Sequence, residues 1–232
     1  VTIEGSDVNH IKNVLRMKPG EKIRVCTRNG QNYFCSISDI TESFVRADIL
    51  EKEAESTELP CRIYLFQGLP KNDKMEWIIQ KTVELGVYEV IPVAMKNCVV
   101  KLDDKKAKSK VTRWQAIAES AAKQSKRSLI PEVKMPMSYK EAVAYAKKLD
   151  VKLVPYENEH GMAGTKAAME QIEKGESVAV FIGPEGGFAP EEIALVQDEM
   201  QLISLGKRIL RTETAGIAAL AILGYQLESS DM

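Results

Sequence analysis

An α/β fold is predicted for most of this chain, with a largely parallel sheet covered by helices and preceded by a small, mostly β domain. Three observations predict it. Beyond residue 59, short apolar runs alternate with helical patterns, the arrangement of successive βα units. Before that point, two β-prone runs flank Asn29-Gly30, a pair that tolerates positive φ in a type I′ hairpin turn. Near the C-terminus, two glycine-bearing turns (181–188 and 205–215) each follow an apolar run and open into helix-start chemistry. Both turns therefore lie at carboxyl ends of neighbouring strands, where open α/β sheets bind ligands.

The elements follow in order. Residues 7–16 are a short helix candidate, 21–28 and 31–38 are the hairpin strands, and 44–50 is a third strand. The polar stretch 51–58 reads as a linker closed by Pro60, which divides the chain into domains 1–58 and 59–232. In the second domain, strands are expected at 62–67, 87–93, 152–155, 177–182 and 201–205. Helices are expected at 73–85, 104–124, 138–149, 190–199 and 212–227. Gly86 suits the C-cap of the first helix, Ser138 with Glu141 forms a capping box, and Pro190 fits a first helical turn. The last helix is apolar on nearly every side and rich in small residues. It serves either as a core helix or as one shared between a ligand pocket and a subunit interface.

Composition narrows the function. With 232 residues, 44% of them hydrophobic, the chain can bury a core, and no apolar run reaches membrane-spanning length. The N-terminus lacks a charged-then-apolar export pattern, so a cytoplasmic location and no membrane partner are expected. Cys26, Cys35, Cys61 and Cys98 form no C-x-x-C pair and have only His10 and His160 to join them. Buried free thiols and no metal are expected. The net charge of −1 excludes a globally basic nucleic-acid binder, yet Lys101, Lys105, Lys106, Lys108, Lys110 and Arg113 crowd one segment. Gly183, Gly186 and Gly187 are spaced G-x-x-G-G and no Gly-Lys-Ser/Thr follows, so neither a common dinucleotide fold nor a P-loop is indicated. Glycines there let backbone groups approach a flat heterocycle or a ribose.

Several segments together resemble the RsmE family of SPOUT methyltransferases. They are the stretch from His10 to Gly20 containing Val14-Leu15-Arg16, the stretch from Gly68 to Gly86, Gln124-Ser125-Lys126-Arg127, Pro155-Tyr156-Glu157, Pro184 to Gly187, and Leu205 to Ala215. The resemblance spans essentially the whole chain. It implies a PUA-like β-barrel followed by a SPOUT α/β domain with a trefoil knot, binding S-adenosylmethionine and methylating N3 of a uridine in 16S ribosomal RNA. The expected partners are that RNA or the assembled small subunit, and a second copy of the chain in a homodimer. The family's opening strand with its Arg-x-Phe element is not matched, and Val1 stands where a methionine would, so a trimmed N-terminal barrel is expected.

The same resemblance assigns residues. Tyr156, Glu157, Ile182, Gly183, Pro184, Gly186, Gly187, Leu205, Gly206, Ile209, Leu210, Thr214 and Ala215 are expected to hold the cofactor. Arg16, Lys71, Lys74, Gln124 and Ser125 are expected on RNA, and Glu185, Arg211 and Arg127 at the chemistry. Most charged candidates have a plainer alternative: Arg16 paired with Glu21, Lys71 and Lys74 simply solvated, Glu185 capping the helix at Pro190, Arg211 paired with Glu213. Two other functions fit the sequence: a SPOUT methyltransferase acting on another RNA acceptor, and an RNA-binding module without catalysis.

Overall fold

The computed structural model describes residues 1–27, 31–53, 56–159 and 161–229. The chain divides into two compact units, Val1–Glu58 and Leu59–Met232. The first is a four-stranded antiparallel sheet of β1 (Thr2–Glu4), β2 (Lys22–Cys26), β3 (Asn32–Ile40) and β4 (Phe44–Lys52), in the order β1-β4-β3-β2. Asn29-Gly30 lies outside the described residues, but the flanking register, Cys26 opposite Asn32 and Lys22 opposite Ser36, is that of a hairpin. Register shifts after Phe34 and Ile37 bend β3, as bulges do in curled sheets. The strand β1 was not expected; it pairs with β4 through Thr2–Glu4. The expected helix is shorter and changes type, with α1 (Ser6–Asn9) running into a π-helical turn at His10–Val14. Val8 and Ile11 from this segment bury against Ile37 and Val45 of the sheet.

The second unit carries a seven-stranded parallel sheet in the order β11-β9-β10-β5-β6-β7, with β8 also on β6. Its strands are β5 (Arg62–Gly68), β6 (Glu89–Ala94), β7 (Glu132–Val133), β8 (Met137–Ser138), β9 (Val151–Pro155), β10 (Ser177–Ile182) and β11 (Gln201–Ile203). Covering them are α2 (Lys74–Glu84), α3 (Asp104–Gln124), α4 (Tyr139–Ala146), α5 (Ala163–Glu170), α6 (Pro190–Val196) and α7 (Thr212–Ser229). The two central strands are buried from end to end apart from Arg62, which is why they read as unbroken apolar runs instead of alternating ones. Phe66 and Phe181 stack at 4.3 Å between their centroids and join β5 to β10.

Local rules explain most of the helices. In α2 the buried set Met75, Ile78, Ile79, Thr82 and Val83 is one stripe of a 3.6-residue period. Asp103 accepts the backbone N–H of Lys106 at 2.8 Å and starts α3. Ser138 and Glu141 form the capping box of α4. Gly86 takes φ +93° after α2, and an added Cβ there would meet Leu59. The short elements α5, β7 and β8 were not expected. β7 and β8 contain only two residues each, too few to establish a period, and α5, as short as α4, has no side-chain N-cap to mark it.

Strand order positions the site. The chain passes from β9 to its neighbour β10, then beyond β9 to the edge strand β11, and returns as α7 to pack against β10 and β5. The segments following β9, β10 and β11 thus leave three adjacent strands at the same end of the sheet.

Candidate active site

Those three segments enclose a cavity of about 700 Å³. Each wall is fixed from within the fold. In the first segment, the backbone N–H of Tyr156 donates to Ile203 O at 3.0 Å, tying it to the end of β11. In the second, Asn97 Nδ2 donates to the carbonyls of Gly186 and Gly187 at 3.0 and 3.2 Å. In the third, Thr165 of α5 donates to Ser204 O at 2.8 Å and accepts the Ser204 N–H at 2.9 Å.

A buried relay then joins the second segment to α7. Thr212 Oγ1 donates to Gly183 O at 2.6 Å and accepts from Gln67 Nε2 at 2.9 Å. Gln67 is completely buried at the end of β5. Its amide also donates to Gly68 O at 3.1 Å, while its Oε1 has no partner among the described residues.

Tyr156, Glu157, Ile182, Gly183, Pro184, Gly187, Leu205, Gly206, Ile209, Leu210 and Ala215 all line the cavity, as do Lys74, Glu185 and Arg211. The structure places three expected residues elsewhere. Gly186 faces away: a Cβ there would lie 2.9 Å from Asn97 Cβ, so its glycine serves packing against Asn97. Thr214 is exposed on the first turn of α7 and outside the lining. Thr212, two residues earlier, makes the inward contacts. Arg127 is also outside the cavity lining. It is buried, and its Nη1 donates to the carbonyls of Val83 at 3.1 Å and Val87 at 2.6 Å, where α2 ends. The guanidinium thus adds a second donor to Val83 O, which already accepts the Gly86 N–H at 3.1 Å, and ties it to Val87 in the segment after the helix.

Of the RNA candidates only Lys74 lines the cavity. Gln124 is exposed, Ser125 donates its hydroxyl to Ala121 O at 2.8 Å, and neither lines the cavity. Arg16 is exposed at φ +54° and has no ion pair with the described residues. Glu21, its proposed partner, instead accepts the backbone N–H of Lys18 at 2.8 Å. Lys71 is exposed and reaches the site only through its backbone.

Glu185 and Lys74 form a cluster at the cavity wall. The Glu185 carboxylate accepts the Lys71 N–H at 3.0 Å and the Lys74 ammonium at 3.0 Å. Lys74 also lies 3.1 Å from Glu213 Oε2, an ion pair without an aligned hydrogen bond. Burial works to raise the Glu185 carboxyl, but these donors outweigh it and hold the group below the usual carboxylate range. Hydrogen bonding to Glu185 likewise holds Lys74 above the ordinary lysine value, against its desolvation. Both alternatives for the acidic pair fail. Glu192, not Glu185, caps α6, accepting the Ala189 N–H at 2.9 Å, and Glu213 pairs with Lys74 instead of Arg211.

Comparison with known proteins identifies the family. Residues 57–224 match the family described as RNA methyltransferase domain, and residues 3–50 match the RNA methyltransferase PUA domain. Ribosomal RNA small subunit methyltransferase E of Bacillus subtilis (strain 168) is 39% identical over 98% of this chain and 90% of its own. The chain belongs to the ribosomal RNA small subunit methyltransferase E family. A crystal structure of the family's member from Neisseria gonorrhoeae, bound to S-adenosyl methionine, matches with a TM-score of 0.80 and 34% identity, over 96% of this chain and 90% of that one. A methyltransferase from Legionella pneumophila with bound SAM matches with a TM-score of 0.83 and 33% identity, over 97% and 91%. The α/β methyltransferase domain, the PUA-like domain and the enzyme class inferred from sequence motifs therefore stand.

S-adenosylmethionine is this methyltransferase family's cofactor, and the cavity fits it. An added Cβ at Gly187 would lie 3.3 Å from Glu157 Oε1, and one at Gly183 would lie 3.3 Å from the Phe188 ring. Side chains there would crowd the cradle. Gly206, at φ +108°, has open space where a Cβ would stand. Among the described residues no group of His, Cys, Asp or Glu has metal-holding geometry, and no helix is long and apolar enough to cross a membrane. Cys35, Cys61 and Cys98 are buried, while Cys26 is exposed, contrary to expectation.

Two neighbours of Ile209 were missed by sequence reasoning. Lys207 and Arg208 line the cavity mouth, exposed and without ion-pair partners among the described residues. Gln67 and Asn97 were also missed. A lone glutamine in an otherwise apolar central strand was a usable signal. Asn97 had none, since its contacts arise only when the loop after β6 meets the loop after β10.

Proposed function

We propose that this chain methylates N3 of a uridine in 16S ribosomal RNA of the small subunit, with S-adenosylmethionine as methyl donor. The observation that carries this reading is the cavity at three adjacent strand ends, with Arg211 on its lining and no carboxylate paired to it among the described residues. When bound, S-adenosylmethionine supplies a methyl group already electrophilic on its sulfonium. The protein's task is therefore orientation, desolvation and charge stabilisation. The backbone around Gly183, Gly187, Leu205, Gly206, Ile209 and Leu210 grips the cofactor, while the Ile209 side chain, 84% exposed, is turned away from that role. Uridine N3 becomes a good nucleophile as its imide proton leaves, and negative charge then spreads to the neighbouring carbonyl oxygens. Arg211 is the cation placed to meet that charge. Glu185 is committed to Lys71 and Lys74 and serves to position them; as a carboxylate held low, it is a weak base. Because N3 lies on the pairing edge, the uridine enters unpaired or extruded.

The reading includes a homodimer acting in the cytoplasm, where small subunits are assembled. Of the apolar residues on α7, Ala219, Leu220 and Leu223 are consumed by the unit's own core. Ala218, Ala221 and Tyr225 form the remaining stripe at i, i+3, i+7; Ala221 and Tyr225 are exposed. Small residues there permit a second helix to approach closely. Mapping methylated nucleosides in ribosomal RNA from cells lacking the protein tests the central claim. An unchanged uridine-N3 methylation map overturns it, and a lost ribose methylation would favour the other SPOUT chemistry.

A further inference from the structure

Lys207, Arg208 and Ile209 form one exposed stretch at the cavity mouth, between Gly206 and α7. Its composition is unlike that of an ordinary solvated loop. Ile209 is 84% exposed, the largest value among the exposed large hydrophobic side chains described. The two cations before it have no carboxylate within ion-pair distance among the described residues, although Glu157 and Glu159 line the same cavity. Half of the basic segment singled out in the sequence is paired by contrast. Lys106 lies 3.3 Å from Asp103, Lys110 lies 3.6 Å from Asp73, and Arg113 lies 2.8 Å from Glu76. Free positive charge is therefore available beside the cavity, next to an apolar side chain that nothing covers.

A ligand for this stretch must offer both anions and an apolar face. A strand of RNA with one base drawn out of its stack does so: phosphates flank the vacated step, and the faces of the neighbouring bases are uncovered. We propose that Lys207 and Arg208 neutralise phosphates of the target strand while Ile209 packs on the face of a base adjoining the extruded one. This rests on the RNA-methylating function proposed above and assigns that site a substrate contact. The backbone of the same loop remains with the cofactor, and its side chains point the enzyme at the strand.

The probes are K207Q/R208Q and I209A in the full chain, with purified small subunits from methylation-deficient cells as substrate. Wild-type transfer to these subunits is measured first; its absence overturns the proposed function and, with it, this assignment. With wild-type transfer present, S-adenosylmethionine affinity by calorimetry should stay within about twofold for both variants, which also verifies folding. For K207Q/R208Q, the dependence of log affinity for the subunit on log salt should flatten by about 1.4, from about 0.7 per phosphate of a single strand. For I209A, affinity should fall roughly tenfold with the salt slope unchanged, since an apolar contact releases no counterions. Wild-type RNA affinity and slope in both variants overturn the assignment while leaving the methylation function intact. A selective loss of cofactor affinity overturns it in favour of a cofactor contact, and a halved sedimentation mass for I209A overturns it in favour of a subunit contact.

Discussion

Arg127 separates two meanings of a sequence motif. It was read as part of the chemistry, but its guanidinium closes the end of α2 by donating to Val83 and Val87. Arg127→Met should therefore cost about 2 kcal/mol in urea unfolding, because the Val87 carbonyl loses this charged donor while Val83 keeps only the Gly86 N–H. Activity per folded molecule at 25 °C should change little; a normal unfolding midpoint with a collapsed kcat would restore the catalytic reading. Gly206→Val should act in the opposite sense. At φ +108° a branched residue is strained, and its side chain enters open space at the cavity. Cofactor affinity by calorimetry should fall at least roughly tenfold, and unchanged affinity in a folded variant removes Gly206 from the cradle. Glu185 yields a pH prediction. Its folded carboxyl is held below the ordinary value, so its contribution to stability is fully present above the unfolded pKa and lost as pH falls through the lower folded one. It stays ionised through neutral pH. Wild type and Glu185→Gln should accordingly show the same rise of rate with pH between about 6 and 9, a range well above ordinary carboxylate values. An inflection in that range abolished by the substitution would make Glu185 the base.

At the scale of elements, one threonine couples the end of the chain to its central strands. Thr212 begins α7, accepts from Gln67 on β5 and donates to Gly183 after β10. Thr212→Val keeps the shape but removes the donor from the partly buried Gly183 carbonyl and the acceptor from Gln67, which should destabilise the protein by about 1 kcal/mol and weaken cofactor binding as Gly183 shifts. Thr212→Ser should restore both in denaturation and calorimetry. Equal behaviour of the valine and serine variants would mean the relay is incidental. Long periodic helices such as α2 and α3 were legible because their stripes and caps are local. The eight-residue α5 was not, and the Thr165 anchor it supplies to Ser204 went unseen with it.

For the whole molecule, the relevant surfaces are the α7 stripe and the cavity mouth. Tyr225 is 75% exposed on the face of α7 that the core leaves uncovered. Tyr225→Glu places a charge in the proposed dimer interface. Sedimentation equilibrium should then show a shift from twice the chain mass to the single-chain 25.8 kDa. A wild-type mass already at the single chain would end the dimer proposal.

The sequence by itself determined the class of fold, the strand-end turns and the family. These depend on period, capping and glycine spacing, all written over a few consecutive residues. It also brought forward most of the cavity lining, because the three segments are contiguous in sequence. Only the tertiary structure decided which polar side chains are free to act. Lys74 and Glu185 are 111 residues apart, and Gln67 and Thr212 are 145 apart. Whether a charge meets a substrate or a partner of its own chain depends on contacts across such distances, and no local pattern encodes them. For that reason Lys74 reads as a free cation in the sequence and is bound in the fold, while Lys207 and Arg208, unmarked in the sequence, face solvent beside the site.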